Sequence, residues 1–340
     1  LSFWNSRLTA TFDYYDKYTS GLLADYELPK ESGFSTMKTN VGEVSNRGFE
    51  VAIAGDIIRT KNFRWNASFN ISRNINQIER LSEGKAYLEG DLWWMQEGGR
   101  IGDFYGYKYI NVFQYDESNA FAEGSWQQLT PVFENGVFQN KYLLNGTEYT
   151  GKVLQKTLPN GKPFRGGDIN WEEPEGSRDG IIDDNDRMII GNALPDVTGG
   201  LSTQFTYKDW SLFISFYYSL GGEIYNFGNT WLKQGDIALY PRPYNDEYDN
   251  ARYANSFYVE DGSFIRLQNV RLSYNLPKNW CRKCGVKGIN LYAFVNNALT
   301  WTKYSGFDPE FSTSDPLQIG RDNYRYPKKR EYGVGMSVNF

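Results

Sequence analysis

Residues 332–340 alternate strictly between apolar and polar side chains. Tyr332, Val334, Met336, Val338 and Phe340 share one face of an extended chain, and Gly333, Gly335, Ser337 and Asn339 share the other. Period two sustained over this length specifies a β-strand with two chemically different faces. A closed membrane barrel needs a last strand to seal against its first, so this run is the predicted barrel-closing strand. A final strand of a soluble sandwich would read the same way, and the other strands must decide.

Similar runs recur along the chain. Leu8, Ala10, Phe12 and Tyr14 alternate with polar residues, as do Phe49, Val51 and Ile53, and then Trp65, Ala67, Phe69 and Ile71. The pattern fades after Leu81 and returns with Leu201, Thr203, Phe205 and Tyr207, followed by Trp210, Leu212, Ile214, Phe216 and Tyr218. Val270, Leu272, Tyr274 and Leu276 form another run, and Ile289, Leu291, Ala293 and Val295 the next. Runs of about ten residues suffice to cross a bilayer at a tilt.

The connections fall into two kinds. Short turns are predicted at 59–62, 208–209 and 277–285, and long loops near 16–39, 77–102, 221–261 and 301–327. Soluble sandwiches rarely segregate loop lengths so cleanly, whereas outer-membrane barrels place short turns at one end and long loops at the other. With this parity, further crossing strands are expected between 114 and 198, where no clear run appears.

Composition agrees. Aromatics make up 17% of the 340 residues, yet mean hydropathy is only −0.60. No apolar run approaches the roughly 20 residues of a membrane helix. The net charge of −5 argues against a nucleic-acid partner. Histidine is absent, which removes His-based triads and His-ligated metals. The sequence opens at Leu1 inside a strand-like run without Met or signal peptide, so it is expected to be a carboxy-terminal portion of a longer protein.

Five ordered segments resemble the SusC/RagA branch of TonB-dependent outer-membrane transporters. The first is Asn40, Gly42, Asn46, Gly48 and Glu50, and the second is Phe104 to Lys108 with Phe113 and Gln114. The third starts with Gly167, Asp168 and Ile169, passes Asp179, Gly180, Ile182, Asp183, Asp186 and Arg187, and ends with Ile190, Gly191 and Asn192. Pro195, Asp196, Gly199 and Gly200 extend it. Residues 258–270 and 303–309 supply the fourth and fifth. The resemblance implies an all-β fold, the carboxy-terminal half of a transmembrane antiparallel barrel of about 22 strands with the plug outside this chain. It also implies import of oligosaccharide or peptide in the outer membrane of a Bacteroides-like bacterium. A SusD-like surface lipoprotein and the TonB complex would be the partners, the latter acting on the missing amino-terminal portion.

Candidate sites are few. Glu175, Ser177, Asp179 and Asp186, with Gly180 at the turn, have the ligand spacing of an EF-hand-type calcium loop, although Arg178 puts a positive charge inside it. A purely structural turn is the competing reading. Cys281 and Cys284 lack the further ligands zinc needs, leaving a local disulfide or two idle thiols. Trp93, Trp94, Trp231, Tyr240, Tyr244 and Tyr248 are candidate stacking platforms for sugar rings, against membrane-interface or packing roles. Adjacent acids such as Asp183 and Asp184, or Glu172 and Glu173, point apart and offer no catalytic pair. No enzyme activity and no required cofactor are expected. A soluble β-sandwich that binds glycans through aromatic loops is the alternative.

Overall fold

A computed structural model describes residues 1–4, 7–27, 36–81, 84–228, 254–283, 285–311, 313 and 315–340, with backbone alone over 22–27 and 36–41. Its main feature is one antiparallel sheet. The long strands are β1 (Leu8–Glu27), β2 (Thr36–Arg59), β3 (Phe63–Leu81), β4 (Val197–Tyr207), β5 (Trp210–Leu220), β6 (Phe264–Asn275), β7 (Gly288–Thr302) and β8 (Glu331–Asn339). Each pairs with the next in sequence, and the two-residue strand Ser2–Phe3 adds to β1.

Register explains why the sequence alternates. On one face Ile53, Phe69, Leu201 and Phe216 sit side by side across β2 to β5. Phe205, Leu212, Leu272, Ala293 and Val334 make a second such row from β4 to β8. Among the described residues nothing covers this face: Val334 is 86% exposed and Leu201 42%. A sandwich would pack a second sheet against it, whereas a membrane wall presents it to lipid. The opposite face is a row of hydroxyls and amides, Ser68, Ser202, Ser215, Asn269 and Asn296. Two pairs in this row bond across strands, with 2.7 Å between the Ser68 and Ser202 hydroxyls and 2.7 Å from Asn269 Nδ2 to Asn296 Oδ1.

Two expectations need correction. No wall strand lies between 114 and 198, because β3 pairs directly with β4 in antiparallel register. Parity is therefore satisfied without hidden strands. The intervening strands, among them Asp103–Gly106, Val137–Leu144 and Ile169–Glu172, pair in small sheets of their own. The polar stretch 16–39 is likewise not a loop throughout, since β1 continues to Glu27 and β2 starts at Thr36. At about 3.3 Å per residue, β1 spans roughly 65 Å, far more than an apolar band about 25 Å tall. Beyond that band both faces meet water, so strand sequences lose their alternation.

The buried apolar core sits in the long connections rather than in the wall. Leu92, Trp93, Met95 and Phe104 pack with Ile78 and Leu81 from the end of β3 and with Tyr225 and Tyr258. A second cluster gathers Tyr107, Phe113, Phe121, Phe164, Ile169, Trp171 and Ile182. Among the described residues no helix is long and apolar enough to cross a membrane.

On the polar face, aromatic rings lie over cross-strand glycines. A Cβ at Gly335 would come within 2.4 Å of the Tyr292 ring, and one at Gly333 within 2.4 Å of the Phe294 ring. Tyr292 cannot lift away freely, because the Arg271 guanidinium stacks 3.9 Å from its ring centre. Gly335→Val is therefore expected to destabilise the β7–β8 pair by about 1–3 kcal/mol. Heat-modifiability on cold gels, followed over a temperature series, measures the shift.

Candidate functional site

The polar face and the long-loop end together bound the space in which a ligand would meet this chain. On the wall, Gln204, Phe213, Asn269, Arg271, Tyr292 and Phe294 line a depression of about 560 Å³. The surface is neutral amide and hydroxyl, with aromatic rings and one guanidinium. Such a lining can hydrogen-bond and stack on a polar solute but contains no nucleophile–base pair.

The long connections are pinned to this wall at a few buried polar points. Arg266 of β6 is 2% exposed, donates to the Asp308 carboxylate, and has Nε 3.4 Å from Glu310 Oε2. Asp308 Oδ2 also accepts from the Lys328 N–H at 2.9 Å. The Tyr304 hydroxyl donates to Asp322 Oδ2 at 2.6 Å, and burial, reinforced by this carboxylate, raises its pKa. Glu260 accepts from the Ser305 N–H and hydroxyl and from Asn226 Nδ2. These contacts join 221–263 and 303–330, the two long connections flanking β6 and β7.

Of the candidate stacking residues, Trp93 is corrected by burial. It is 2% exposed and donates its indole N–H to the Ile319 carbonyl at 2.8 Å, so it packs the core and offers no face. Trp94, its neighbour on the strand Trp93–Met95, points the other way and stacks on Tyr105 with ring centres 4.3 Å apart. The Arg187 guanidinium lies 5.0 Å from the Tyr105 ring centre, extending the stack. Trp231, Tyr240, Tyr244 and Tyr248 lie outside the described residues.

The loop with calcium-like spacing is organised around an ammonium. Lys156 and Glu173 form an ion pair at 3.6 Å, with side chains 5% and 2% exposed. Lys156 also donates to Asn170 Oδ1 at 3.1 Å and to the Trp171 carbonyl. Burial lowers its pKa, against the opposing pull of Glu173. The other Glu173 oxygen accepts the N–H groups of Asp179 and Gly180 at 3.1 and 2.8 Å. Ser177 donates to Asp186 Oδ1 at 2.9 Å, and Asp179 turns onto the Ile181 N–H at 2.8 Å. Asp186 is 1% exposed, and burial raises its carboxyl pKa. Among the described residues no three His, Cys, Asp or Glu side chains gather as a metal cluster. Sequence spacing could not reveal Lys156, which lies outside the motif.

The remaining named groups have separate partners. Glu172 pairs with Lys108 at 2.8 Å, Asp183 caps the turn Asp184–Asp186 through the Asn185 N–H, and Asp184 accepts from Tyr107. Cys281 is buried, and Cys284 lies outside the described residues.

No family model matches the sequence. A TonB-dependent receptor, P39, of Formosa agariphila is 37% identical over 363 aligned positions, covering all of this chain and 34% of the relative. The TonB-dependent receptor SusC of Bacteroides thetaiotaomicron is 25% identical, again over the whole chain and over 31% of its own length. Over its whole length the chain is similar to the SusC/RagA-like TonB-dependent receptors. It spans about a third of the length of the curated relatives it matches. The fold agrees with two solved states of the RagAB peptide importer. The closed-closed state superposes with a TM-score of 0.69 and the open-open state with 0.66, each at 23% identity over 99% of this chain, covering 34% and 33% of theirs.

In this SusC-like chain the five motifs hold the loops in place. Asn46 Oδ1 accepts from Asn74 and Asn76 at 3.0 and 3.1 Å, while a Cβ at Gly48 would strike the Arg73 carbonyl at 2.2 Å. Gly106 lets the Ala254 carbonyl approach, and that carbonyl takes the Tyr107 N–H at 2.9 Å. Asn192 Nδ2 donates to Asp103 Oδ1 at 2.6 Å, and its N–H to Glu223 Oε2 at 2.7 Å. The fourth and fifth motifs contribute the Arg266–Asp308 contact.

Proposed function

We propose that this chain forms the lipid-facing wall, lumen lining and external loops of an importer that brings oligosaccharide across the outer membrane. The observation that carries the reading is the sheet's two-sidedness, an exposed apolar face backed by a hydroxyl and amide face with aromatic rings. A SusD-like surface lipoprotein is proposed to meet the long-loop end and hand over ligand, and TonB to act on a portion of the receptor outside this chain. Peptide is the second substrate class, favoured by the likeness in fold to a structure described as a peptide importer. A calcium ion at Glu175, Ser177, Asp179 and Asp186 is not required by this reading, since Ser177 bonds Asp186 and Asp179 bonds the Ile181 N–H within the turn.

The test uses the full-length receptor, extracted from outer membranes in mild detergent. A co-purifying lipoprotein is expected, with oligosaccharide identified by mass spectrometry in the released ligand fraction. Peptide in that fraction would replace the glycan assignment. Recovery of the receptor in a detergent-free soluble fraction would overturn the importer reading.

A further inference from the structure

The β6–β7 turn carries charge of one sign although the chain as a whole is acidic. Between β6 and β7, Lys278, Arg282, Lys283 and Lys287 fall within ten residues that contain no acid. All four are exposed, and none makes an ion pair among the described residues. At the same end the β4–β5 turn carries Lys208 and Asp209, and at the β2–β3 turn Lys61 is exposed while Arg59 and Arg64 share the Asp56 carboxylate at 3.8 and 2.7 Å. Among the described residues, the cations without an acidic partner at this end thus concentrate on the β6–β7 turn, in a chain whose net charge is −5.

Their depth is set by the aromatics beside them. Trp210 and Tyr274, facing each other across β5 and β6 where the strands end, lie tilted to each other with ring centres 4.5 Å apart. Trp280, on the short helix Lys278–Lys283, is 63% exposed, and Phe340 is 82% exposed. Indole and phenol rings settle at the boundary between acyl chains and headgroups. Cations just beyond that boundary lie at the level of lipid phosphates. The turn is fixed in place: Cys281 is buried beneath the helix, the Val286 N–H reaches the Cys281 carbonyl at 3.1 Å, and the Lys287 N–H reaches the Asn339 carbonyl at 2.8 Å. Four exposed side chains on a held turn keep their charges together without ordering a loop for the purpose.

We propose that the β6–β7 turn is a headgroup-phosphate site that retains an anionic phospholipid of the leaflet facing the short-turn end. The lipid's acyl chains lie along the apolar face, and its phosphate meets Lys278, Arg282, Lys283 and Lys287. The proposal rests on the membrane-wall fold and is independent of the imported substrate.

Native mass spectrometry of the full-length receptor, released from nanodiscs containing equal amounts of phosphatidylglycerol and phosphatidylcholine, reads the bound lipid directly. The wild-type receptor is expected to retain phosphatidylglycerol over phosphatidylcholine by about tenfold. K278Q/R282Q/K283Q/K287Q is expected to lose that preference, while K141Q/K152Q, which removes lysines from the long connection 82–196, keeps it. Heat-modifiability confirms that each variant is folded. Excess inorganic phosphate is expected to leave the lipid in place, and displacement by phosphate would reduce the site to a free-anion site. Absence of a preference in wild type, or an unchanged preference in the quadruple variant, would overturn the proposal.

Discussion

Lys156→Met is expected to loosen residues 156–186 by about 3–5 kcal/mol while leaving the wall intact. Removing one member of a buried ion pair leaves the other charged and desolvated, and this costs far more than the pair contributes net. Glu173 would keep only the Asp179 and Gly180 N–H groups as partners. The Trp171 carbonyl and Asn170 Oδ1 would lose a donor. The effect stays local because the segment is tied to itself, through Thr157 N–H to the Gly180 carbonyl at 2.8 Å and Ile182 N–H to the Thr157 carbonyl at 2.9 Å. Hydrogen exchange of those amides in the full-length receptor should quicken by about a hundredfold or more, each 1.4 kcal/mol being a factor of ten. Adding Glu173→Gln to the variant should recover much of the loss, since a neutral amide needs no counter-charge. Calcium should leave the wild-type protection unchanged. Unchanged exchange in Lys156→Met would show that the ammonium does not hold the loop.

Arg266→Met is expected to free the connection 303–330 from the wall. The guanidinium is 3% exposed in its side chain and faces Asp308, itself 10% exposed, with Glu310 beside it. Without it, Asp308 keeps the Lys328 and Glu310 N–H groups, and Glu310 keeps Lys328. A loss of about 2–5 kcal/mol follows from stranding a buried carboxylate. Limited proteolysis should cut within 303–330 in the variant and spare wild type, with heat-modifiability of the barrel unchanged. Arg266→Lys should restore only part of the protection, because an ammonium cannot span two carboxylates as a planar fork does. Equal protease resistance in wild type and Arg266→Met would remove this pin from the account.

The wall was legible in the sequence because two solvents impose it. Lipid on one side and water on the other force period two on β3 to β8, and Leu201, Phe205, Leu212 and Leu272 all lie on the face their spacing assigns. Where both faces meet water that constraint lapses, which is why the far ends of β1 and β2 read as loop. The pairing of β3 with β4 across residues 82–196 has no local signal, since it is a tertiary choice of register. Loop chemistry was harder still. Trp93 and Trp94 are adjacent and identical in type, yet one packs the core and the other stacks on Tyr105. The acidic spacing of 175–186 suggested a metal, and the cation that faces Glu173 comes from Lys156, far outside the motif. Motif glycines such as Gly48 and Gly106 showed their purpose only once the carbonyls approaching them were in view.

The central claim is that one face of this sheet meets lipid and the other an aqueous lumen. Spin labels placed singly at positions 332, 334, 336, 337, 338 and 339, in the full-length receptor with its native cysteines replaced by serine and reconstituted in bilayers, test it most directly. Collision with oxygen should peak at Tyr332, Val334, Met336 and Val338. Collision with a water-soluble nickel complex should peak at Ser337 and Asn339, the two profiles running in opposite phase with period two. Uniform access to the nickel complex along the strand, or burial of the even positions from both reagents, would contradict the membrane wall and restore a soluble sandwich.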